Sequence, residues 1–226
     1  MARTAVFGGS FNPIHYGHLL LADEVLDALE LDRVLFVPAA QPPHKPNAQL
    51  APARDRHAMV ELAVAGHPKF AVSDLELRRS GPSYTVDTLD ALRIPREELF
   101  LIVGSETFLD LLTWRTPRRV AGLAQIVVVP RAGSAFDPES VAARKVVQEI
   151  GDEPLIVRAI SLPISASDLR RRVREGRSIA YRLPEAVAAY IQAKRLYRAE
   201  GSLRRRRRSG RRAARRAQPW TSGPAT

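Results

Sequence analysis

The stretch VFGGSFNPIHYGH, at residues 6–18, decides the fold of this chain. It begins in an apolar run that predicts a first β-strand over residues 4–7, and Gly8 and Gly9 then break that strand. Apolar residues recur at helical spacing from Tyr16 onward, which predicts a helix directly after the turn. Because a helix N-terminus presents main-chain N–H groups and a positive dipole end, this arrangement predicts a site for phosphate groups.

Two histidines, His15 and His18, lie at the start of the predicted helix and add imidazole donors there. Each could instead cap or pack the helix, and the pair could bind zinc only with further ligands, of which none can be cysteine because the chain has none. The sequence contains neither a G-x-x-x-x-G-K-[ST] loop nor a G-x-G-x-x-G fingerprint. A phosphate site in this chain therefore depends on groups other than those loops.

Length and composition place the chain among ordinary globular proteins. Its 226 residues are enough for a single domain with a full core, and the absence of cysteine excludes a disulfide framework and thiolate chemistry. No signal peptide precedes the first strand, and no apolar run reaches the roughly 18 residues of a membrane span. We expect a cytoplasmic protein without a membrane partner.

The net charge of +11 comes mainly from the C-terminal segment. Residues 201–226 contain nine arginines and no acidic residue, and residues 1–200 carry a net charge of only +2. We therefore predict a folded unit over residues 1–200 and a disordered basic tail over residues 201–226, since the tail is too polar to bury a core. Such a tail is expected to contact nucleic acid non-specifically. A nucleic-acid-binding protein acting through the tail is an alternative, but it leaves residues 1–200 unexplained.

Strands and helices alternate along the rest of the chain. Strands are predicted at residues 4–7, 33–38, 70–73, 99–104, 125–129 and 155–160, the third running on towards Glu76. Helices are predicted at residues 16–29, 54–65, 108–112, 138–150 and 164–176, after an N-cap at Thr85, and from Pro184 onward. This alternation predicts an α/β fold with a Rossmann-like, doubly wound parallel sheet, and the very apolar run 99–104 is expected near its centre.

Ligands of such sheets bind beyond the carboxyl ends of the strands, where the strand order reverses. The segments that begin at Gly9, Pro38, Gly104 and Ser165 all follow predicted strands, so we expect them to converge on one cleft. Phosphoryl transfer needs cations and donors around the moving group. The candidates are His15, His18, Lys45, Ser165, Ser167 and Arg170, while Arg171, Arg172 and Arg174 are interpreted as a solvated helix face.

The string from Gly8 to His18 resembles the H-x-G-H signature of the nucleotidyltransferase superfamily. The segments PPHK (42–45), SYT through TL (83–89), 104–114, ISASDLR (164–170) and YI through LY (190–197) narrow the resemblance. Together they make residues 4–198 similar to the bacterial nicotinate-nucleotide adenylyltransferases.

This resemblance implies transfer of the adenylyl group of ATP to nicotinate mononucleotide, in NAD biosynthesis, without a covalent enzyme intermediate. It implies Mg²⁺ carried with ATP and no metal site of the protein's own. The implied catalytic residues are His15, His18, Lys45 and Arg170. The implied ATP-binding residues are Gly8, Gly9, Ser10, Phe11, His15, His18, Gly104, Ser105, Glu106, Ser165, Ser167 and Arg170. The implied mononucleotide-binding residues are His44, Lys45, Ser83, Tyr84, Thr85 and Trp114.

Several implied roles are specific enough to compare with a structure. His15 and His18 would hold the ATP phosphates, and Ser165, Ser167 and Arg170 would grip the departing pyrophosphate. Trp114 would stack on the pyridine ring, and Tyr84 and Thr85 would offer main-chain N–H groups to its carboxylate.

Three positions depart from the family pattern: Asn12 and Glu106 stand where Asp is usual, and Ala166 where Ser is common. Asn12 removes a negative charge beside the phosphates, Glu106 leaves its ribose or main-chain contacts open, and Ala166 removes one hydroxyl. The alternatives are related enzymes that use nicotinamide mononucleotide or phosphopantetheine as the acceptor. The sequence also leaves open whether the chain forms a homo-oligomer.

Overall fold

The computed structural model describes residues 2–43, 50–130, 136–160 and 162–198. The strands are β1 (Thr4–Gly9), β2 (Arg33–Pro38), β3 (Phe70–Val72), β4 (Leu99–Gly104), β5 (Gln125–Val129) and β6 (Leu155–Ile156). They form one sheet in the order β3-β2-β1-β4-β5-β6, and every neighbouring pair is parallel. The strand 99–104 lies at the centre beside β1, as the sequence predicts.

Nine helices accompany the sheet within the described ranges. They are α1 (Tyr16–Ala28), α2 (Ala53–Val64), α3 (Leu75–Arg78), α4 (Thr85–Leu92), α5 (Ser105–Leu109), α6 (Pro117–Leu123), α7 (Val141–Ile150), α8 (Ala166–Arg174) and α9 (Glu185–Ala193). Short 3-10 turns lie at Arg96–Glu98 and Leu111–Thr113.

Alternate residues of each central strand point into two separate cores, which confirms the doubly wound sheet. In β4, Phe100 and Ile102 pack with buried residues of α1, α2, α8 and α9. Leu101 and Val103 pack on the opposite face with buried residues of α4, α5, α6 and α7. A strand with both faces covered reads as a continuous apolar run, which explains the composition of residues 99–104.

The chain reverses its direction across the sheet between β1 and β4. From β1 it proceeds outward through β2 to β3, then returns to place β4 on the other side of β1. Thr4 lies beside Arg33 in β2 and beside Leu99 in β4. The loops after β1 and β4 therefore flank the crevice in which ligands of open parallel sheets bind.

Several predicted boundaries were wrong, and helix α6 was missed. The first strand continues through Gly8 and Gly9, and the helix predicted at residues 108–112 begins at Ser105 and ends at Leu109. The third strand does not continue to Glu76, because the Ser73 hydroxyl accepts a hydrogen bond from the N–H of Leu75 and the chain turns into α3. The sixth strand is two residues long and pairs only with β5, so it is an exposed edge. Helix α6 was not predicted, although Pro117 occupies its first turn. Thr85 is the first residue of α4, and Tyr84 is its N-cap.

No helix in the described ranges is both long enough and apolar enough to span a bilayer. His44 and Lys45 lie outside the described residues, and so does the tail over residues 201–226. The predictions made for them therefore stay predictions.

Candidate active site

A cleft of about 870 Å³ opens at the carboxyl ends of β1 and β4. Most of the residues predicted from the sequence line it. They are Gly8, Gly9, Ser10, Phe11, His15, His18, Ser83, Tyr84, Thr85, Gly104, Trp114, Ser165, Ser167 and Arg170. Four loops that are far apart in the sequence thus meet at one place, as the parallel sheet predicts.

The two histidines lie at the start of α1 with their rings stacked, the centroids 3.8 Å apart. The main-chain N–H of His15, the N-cap residue, donates to Nδ1 of His18 at 3.3 Å. Since Nδ1 of His18 accepts, the neutral ring carries its hydrogen on Nε2. A Cβ atom at Gly17 would lie 3.1 Å from the His15 ring, so the glycine of H-x-G-H gives that ring its place.

Phe11 lies beneath this turn and is 2% exposed. Its ring meets the His18 ring edge to face, with centroids 5.2 Å apart. A Cβ atom at Gly9 would come within 3.0 Å of the Phe11 ring, whereas one at Gly8 would meet nothing within 4 Å. The Phe11 side chain therefore packs against the turn between β1 and α1, and the predicted contact of Phe11 with ATP stays a prediction.

Arg56 of α2 is a buried cation that the sequence does not single out. It is 1% exposed and donates to the main-chain oxygens of Ala51, Ser10 and Ala40, at 2.9, 2.8 and 3.1 Å. Burial lowers the pKa of its guanidinium, while Tyr197 and then Glu76 raise it. This one side chain ties the loop after β1 to both ends of the loop after β2.

Asn12 is turned into the protein, with 3% of its surface exposed. Its Oδ1 accepts from the main-chain N–H of Ala51 at 3.0 Å and from the hydroxyl of Tyr197 at 2.9 Å. Nη1 of Arg170 donates to the main-chain oxygen of Asn12 at 2.8 Å. Asn12 therefore makes buried hydrogen bonds that hold the turn in place, so the departure from Asp affects these bonds as well as the local charge.

Arg170 projects from α8, whose N-terminus also lines the cleft. Ser165 caps this helix by accepting from the N–H of Asp168 at 3.2 Å, and its hydroxyl lies 3.2 Å from that of Ser167. Hydrogen bonds from Arg171 and Arg172 lower the pKa of Asp168 to about 2. Two of the arginines interpreted as a solvated face are therefore paired with Asp168.

The start of α4 also lines the cleft, and here Ser83 and Tyr84 already make hydrogen bonds within the protein. The N–H of Tyr84 already donates to the main-chain oxygen of Pro82 at 3.1 Å. The hydroxyl of Ser83 accepts from the N–H of Gln41 at 3.1 Å, which fastens α4 to the loop after β2. Thr85 is thus the residue whose N–H, in the first turn of α4, suits an anion.

Trp114 also lines the cleft and is half-buried. The next residue, Arg115, also lines the cleft and was not predicted. Its guanidinium carbon lies 4.8 Å from the centroid of the Tyr84 ring, and Nη1 lies 3.6 Å from a carboxylate oxygen of Asp87. Its position directly after Trp114 is the only sequence signal that could have identified it.

The segment after β4 contributes less than predicted. Gly104 and Thr107 line the cleft, but Ser105 and Glu106 are not among the lining residues of the described chain. Ser105 is 1% exposed, because the first turn of α5 points it into the protein. The predicted ATP contacts of Ser105 and Glu106 stay predictions.

The described residues contain no group of three or more histidine, cysteine or carboxylate side chains arranged to hold a metal ion.

Residues 6–172 match the family model described as cytidylyltransferase-like. The chain is 45% identical over 202 residues to a probable nicotinate-nucleotide adenylyltransferase from Thermomicrobium roseum, covering 88% of this chain and 92% of that protein. It is 48% identical over 198 residues to a protein of the same description from Thermus thermophilus, covering 87% of this chain and 100% of that protein.

A solved structure of similar fold is that of Plasmodium falciparum nicotinic acid mononucleotide adenylyltransferase complexed with NaAD. It matches with a TM-score of 0.70 over 87% of this chain and 98% of that chain. At 18% sequence identity, this likeness shows the shared fold alone.

Proposed function

The chain belongs to the cytidylyltransferase-like family and, within it, to the nicotinate-nucleotide adenylyltransferases, and we propose that it joins ATP and nicotinate mononucleotide. The products are nicotinate adenine dinucleotide and pyrophosphate, which places the enzyme in NAD biosynthesis. The observation that carries the assignment is that His15, His18, Thr85 and Trp114 line one cleft. In this cleft the two imidazole rings are suited to phosphate groups. Trp114 is suited to a pyridine ring, and the N-terminus of α4 is suited to its acid group.

The reaction needs no protein nucleophile. A phosphate oxygen of the mononucleotide attacks the α-phosphorus of ATP, and the bond from that phosphorus to the oxygen bridging to the β-phosphate breaks. Charge then develops on the oxygens around the α-phosphorus and on the leaving pyrophosphate. Mg²⁺ enters with ATP as part of that substrate and leaves with pyrophosphate.

We assign the part of the cleft that contains the histidines and the start of α8 to ATP. The Nε2 hydrogen of His18, held in that tautomer by the His15 N–H, would stabilise charge on the α-phosphoryl oxygens. Arg170 and the Ser165–Ser167 turn would hold the β- and γ-phosphates, since they lie at the cleft end of α8. Lys45 is assigned to phosphate by the family resemblance.

We assign the part of the cleft formed by Trp114 and the start of α4 to the mononucleotide. Trp114 would stack on the pyridine ring, and the Thr85 N–H would bind the carboxylate at the positive end of α4. A carboxamide can offer only a neutral carbonyl oxygen to that donor, so it lacks the charge-assisted bond and gains nothing from the helix dipole. Phosphopantetheine has no aromatic ring for Trp114 to stack on. These features favour nicotinate mononucleotide over both alternative acceptors.

A cytoplasmic location suits an enzyme that uses ATP, and we propose it on that ground. Contact of the tail with nucleic acid would be an additional property and not the activity of residues 1–200.

Pyrophosphate release tests the assignment. The full-length protein is given MgATP with nicotinate mononucleotide, its amide or phosphopantetheine, and initial rates are compared. The proposal expects kcat/KM for the acid to exceed that for the amide by at least about 10²-fold, since each 1.4 kcal/mol is tenfold. Equal values for acid and amide would overturn the acceptor but leave adenylyl transfer standing.

A further inference from the structure

Tyr197 makes a contact that the reaction described above does not use. Its hydroxyl donates to Oδ1 of Asn12 at 2.9 Å, and the two residues are 185 positions apart. Tyr197 is the last residue but one of the described chain, whereas Asn12 lies inside the turn between β1 and α1. The C-terminal segment therefore returns to the turn that carries the histidines.

Asn12 connects Tyr197 with Arg170. While its side-chain oxygen accepts from Tyr197, its main-chain oxygen accepts from Nη1 of Arg170 at 2.8 Å. Arg170 is half-buried and lines the cleft, and its guanidinium is held there by the hydrogen bond to Asn12. A shift of Asn12 would move the point at which Arg170 is fixed.

The surroundings keep the Tyr197 hydroxyl in its donating form. Burial raises the pKa of Tyr197, although the neighbouring cations Arg170 and Arg56 lower it. Asn12 Oδ1 also accepts from the N–H of Ala51, so the amide is held from two directions. With both donors in place, the turn has one well-defined arrangement.

We propose that Tyr197 is a positioning residue for the pyrophosphate end of the active site, acting through Asn12 on Arg170. The inference rests on the proposed function in assigning Arg170 to the leaving pyrophosphate. On this proposal, the segment just before the tail contributes to the active site through Tyr197.

Tyr190 supplies a matched control. Its hydroxyl also donates from the C-terminal part of the chain, to Oδ1 of Asp55 at 2.8 Å, and so joins α9 to α2. Tyr190 and Asp55 are not among the cleft-lining residues that the structure describes. Tyr190→Phe therefore removes the same chemical group from the same region without touching Asn12.

The test compares Tyr197→Phe with Tyr190→Phe in the full chain. Magnesium pyrophosphate binding is measured by calorimetry, and KM for ATP and for nicotinate mononucleotide by steady-state rates. For Tyr197→Phe we expect pyrophosphate affinity to fall and KM for ATP to rise about tenfold, with KM for the mononucleotide within twofold. For Tyr190→Phe all three values should stay within twofold.

A double-mutant cycle with Arg170→Ala separates positioning from general damage. If Tyr197 acts through Arg170, adding Tyr197→Phe to Arg170→Ala weakens pyrophosphate binding by less than twofold more. Full additivity in this cycle, or wild-type pyrophosphate affinity in Tyr197→Phe, overturns the proposal. Equal loss for pyrophosphate and mononucleotide also overturns it, because that pattern indicates only a loosened fold.

A wrong acceptor assignment would give a result that differs from a wrong role for Tyr197. Pyrophosphate binding needs no acceptor, so the Tyr197 result can be read even if another acceptor proves to be the substrate. The acceptor comparison on the wild-type protein decides that question separately.

Discussion

Nη1 of Arg56 donates to the main-chain oxygen of Ser10 at 2.8 Å, which joins the first turn of α2 to the turn between β1 and α1. The same guanidinium reaches Ala51 and Ala40, so one buried cation satisfies oxygens from three places in two loops. Buried main-chain oxygens that lose their donors are costly, which makes this residue a support of the whole site.

Replacing Arg56 by Met should lower the free energy of unfolding by about 2–4 kcal/mol, because the three oxygens keep their burial but lose their donor. Urea unfolding of the purified variant measures the change. Arg54→Met, at an exposed position of the same helix, is the control and should stay within about 0.5 kcal/mol of wild type. A loss below 1 kcal/mol for Arg56→Met would show that water or neighbouring groups replace the guanidinium.

His18→Ala should lower kcat by about 10²–10³, the usual effect of removing one donor to the transition state. Single-turnover rates with saturating MgATP give the value without interference from product release. His67→Gln serves as a control, since His67 pairs with Asp23 at 3.0 Å and does not line the cleft in the described chain. If His18→Ala retains activity within twofold of wild type, His18 has no part in the chemistry.

Arg115→Gln should reduce the preference for nicotinate mononucleotide over its amide by about threefold to fivefold. An exposed cation of this kind contributes at most about 1 kcal/mol to binding an anion. Trp114→Ala should instead weaken both acceptors by similar factors, since stacking does not distinguish acid from amide. The ratio of the two kcat/KM values is the measurement, with Arg118→Gln as an exposed control nearby. An unchanged ratio in Arg115→Gln would assign the selectivity to Thr85 and the helix dipole alone.

Removal of residues 201–226 should leave kcat/KM for adenylyl transfer nearly unchanged, because all cleft-lining residues of the described chain remain. The shortened protein should lose its salt-sensitive adhesion to RNA or DNA, since the nine arginines are gone. Filter binding at several salt concentrations, beside the enzyme assay, checks both expectations. A large loss of activity on truncation would show that the tail reaches the cleft.

Tyr190 should contribute to stability up to alkaline pH. Burial, followed by the bond to Asp55, raises its pKa to about 12 from an ordinary value near 10. A raised pKa favours the protonated phenol in the fold, so its stabilisation is complete below pH 10 and is lost as the pH rises towards 12. The fall in unfolding free energy between pH 9 and 11.5 should therefore be smaller in Tyr190→Phe than in wild type. Identical curves would indicate that the hydroxyl titrates alike in both states.

Much of the site was predictable because its members are close in the sequence. His15, Gly17 and His18 lie within one helical turn, so the position of the turn alone brings the two rings together. Gly104 and Ser165 were predictable in a weaker sense, since a parallel sheet places the ends of its strands along one edge. The sequence predicted the segment after β4 at the cleft, where Gly104 lies, but not that Ser105 is buried.

The sequence by itself determined the alternating strands and helices, the glycine turn with its two histidines, and the family to which the chain belongs. Tertiary structure alone decided the partners of Arg56, Asn12 and Tyr197, because their contacts join positions between 5 and 185 residues apart. It also decided that the Tyr84 N–H is already engaged. Periodicity records which face of an element is buried, whereas the partner of a polar atom depends on which loops the folded sheet brings together.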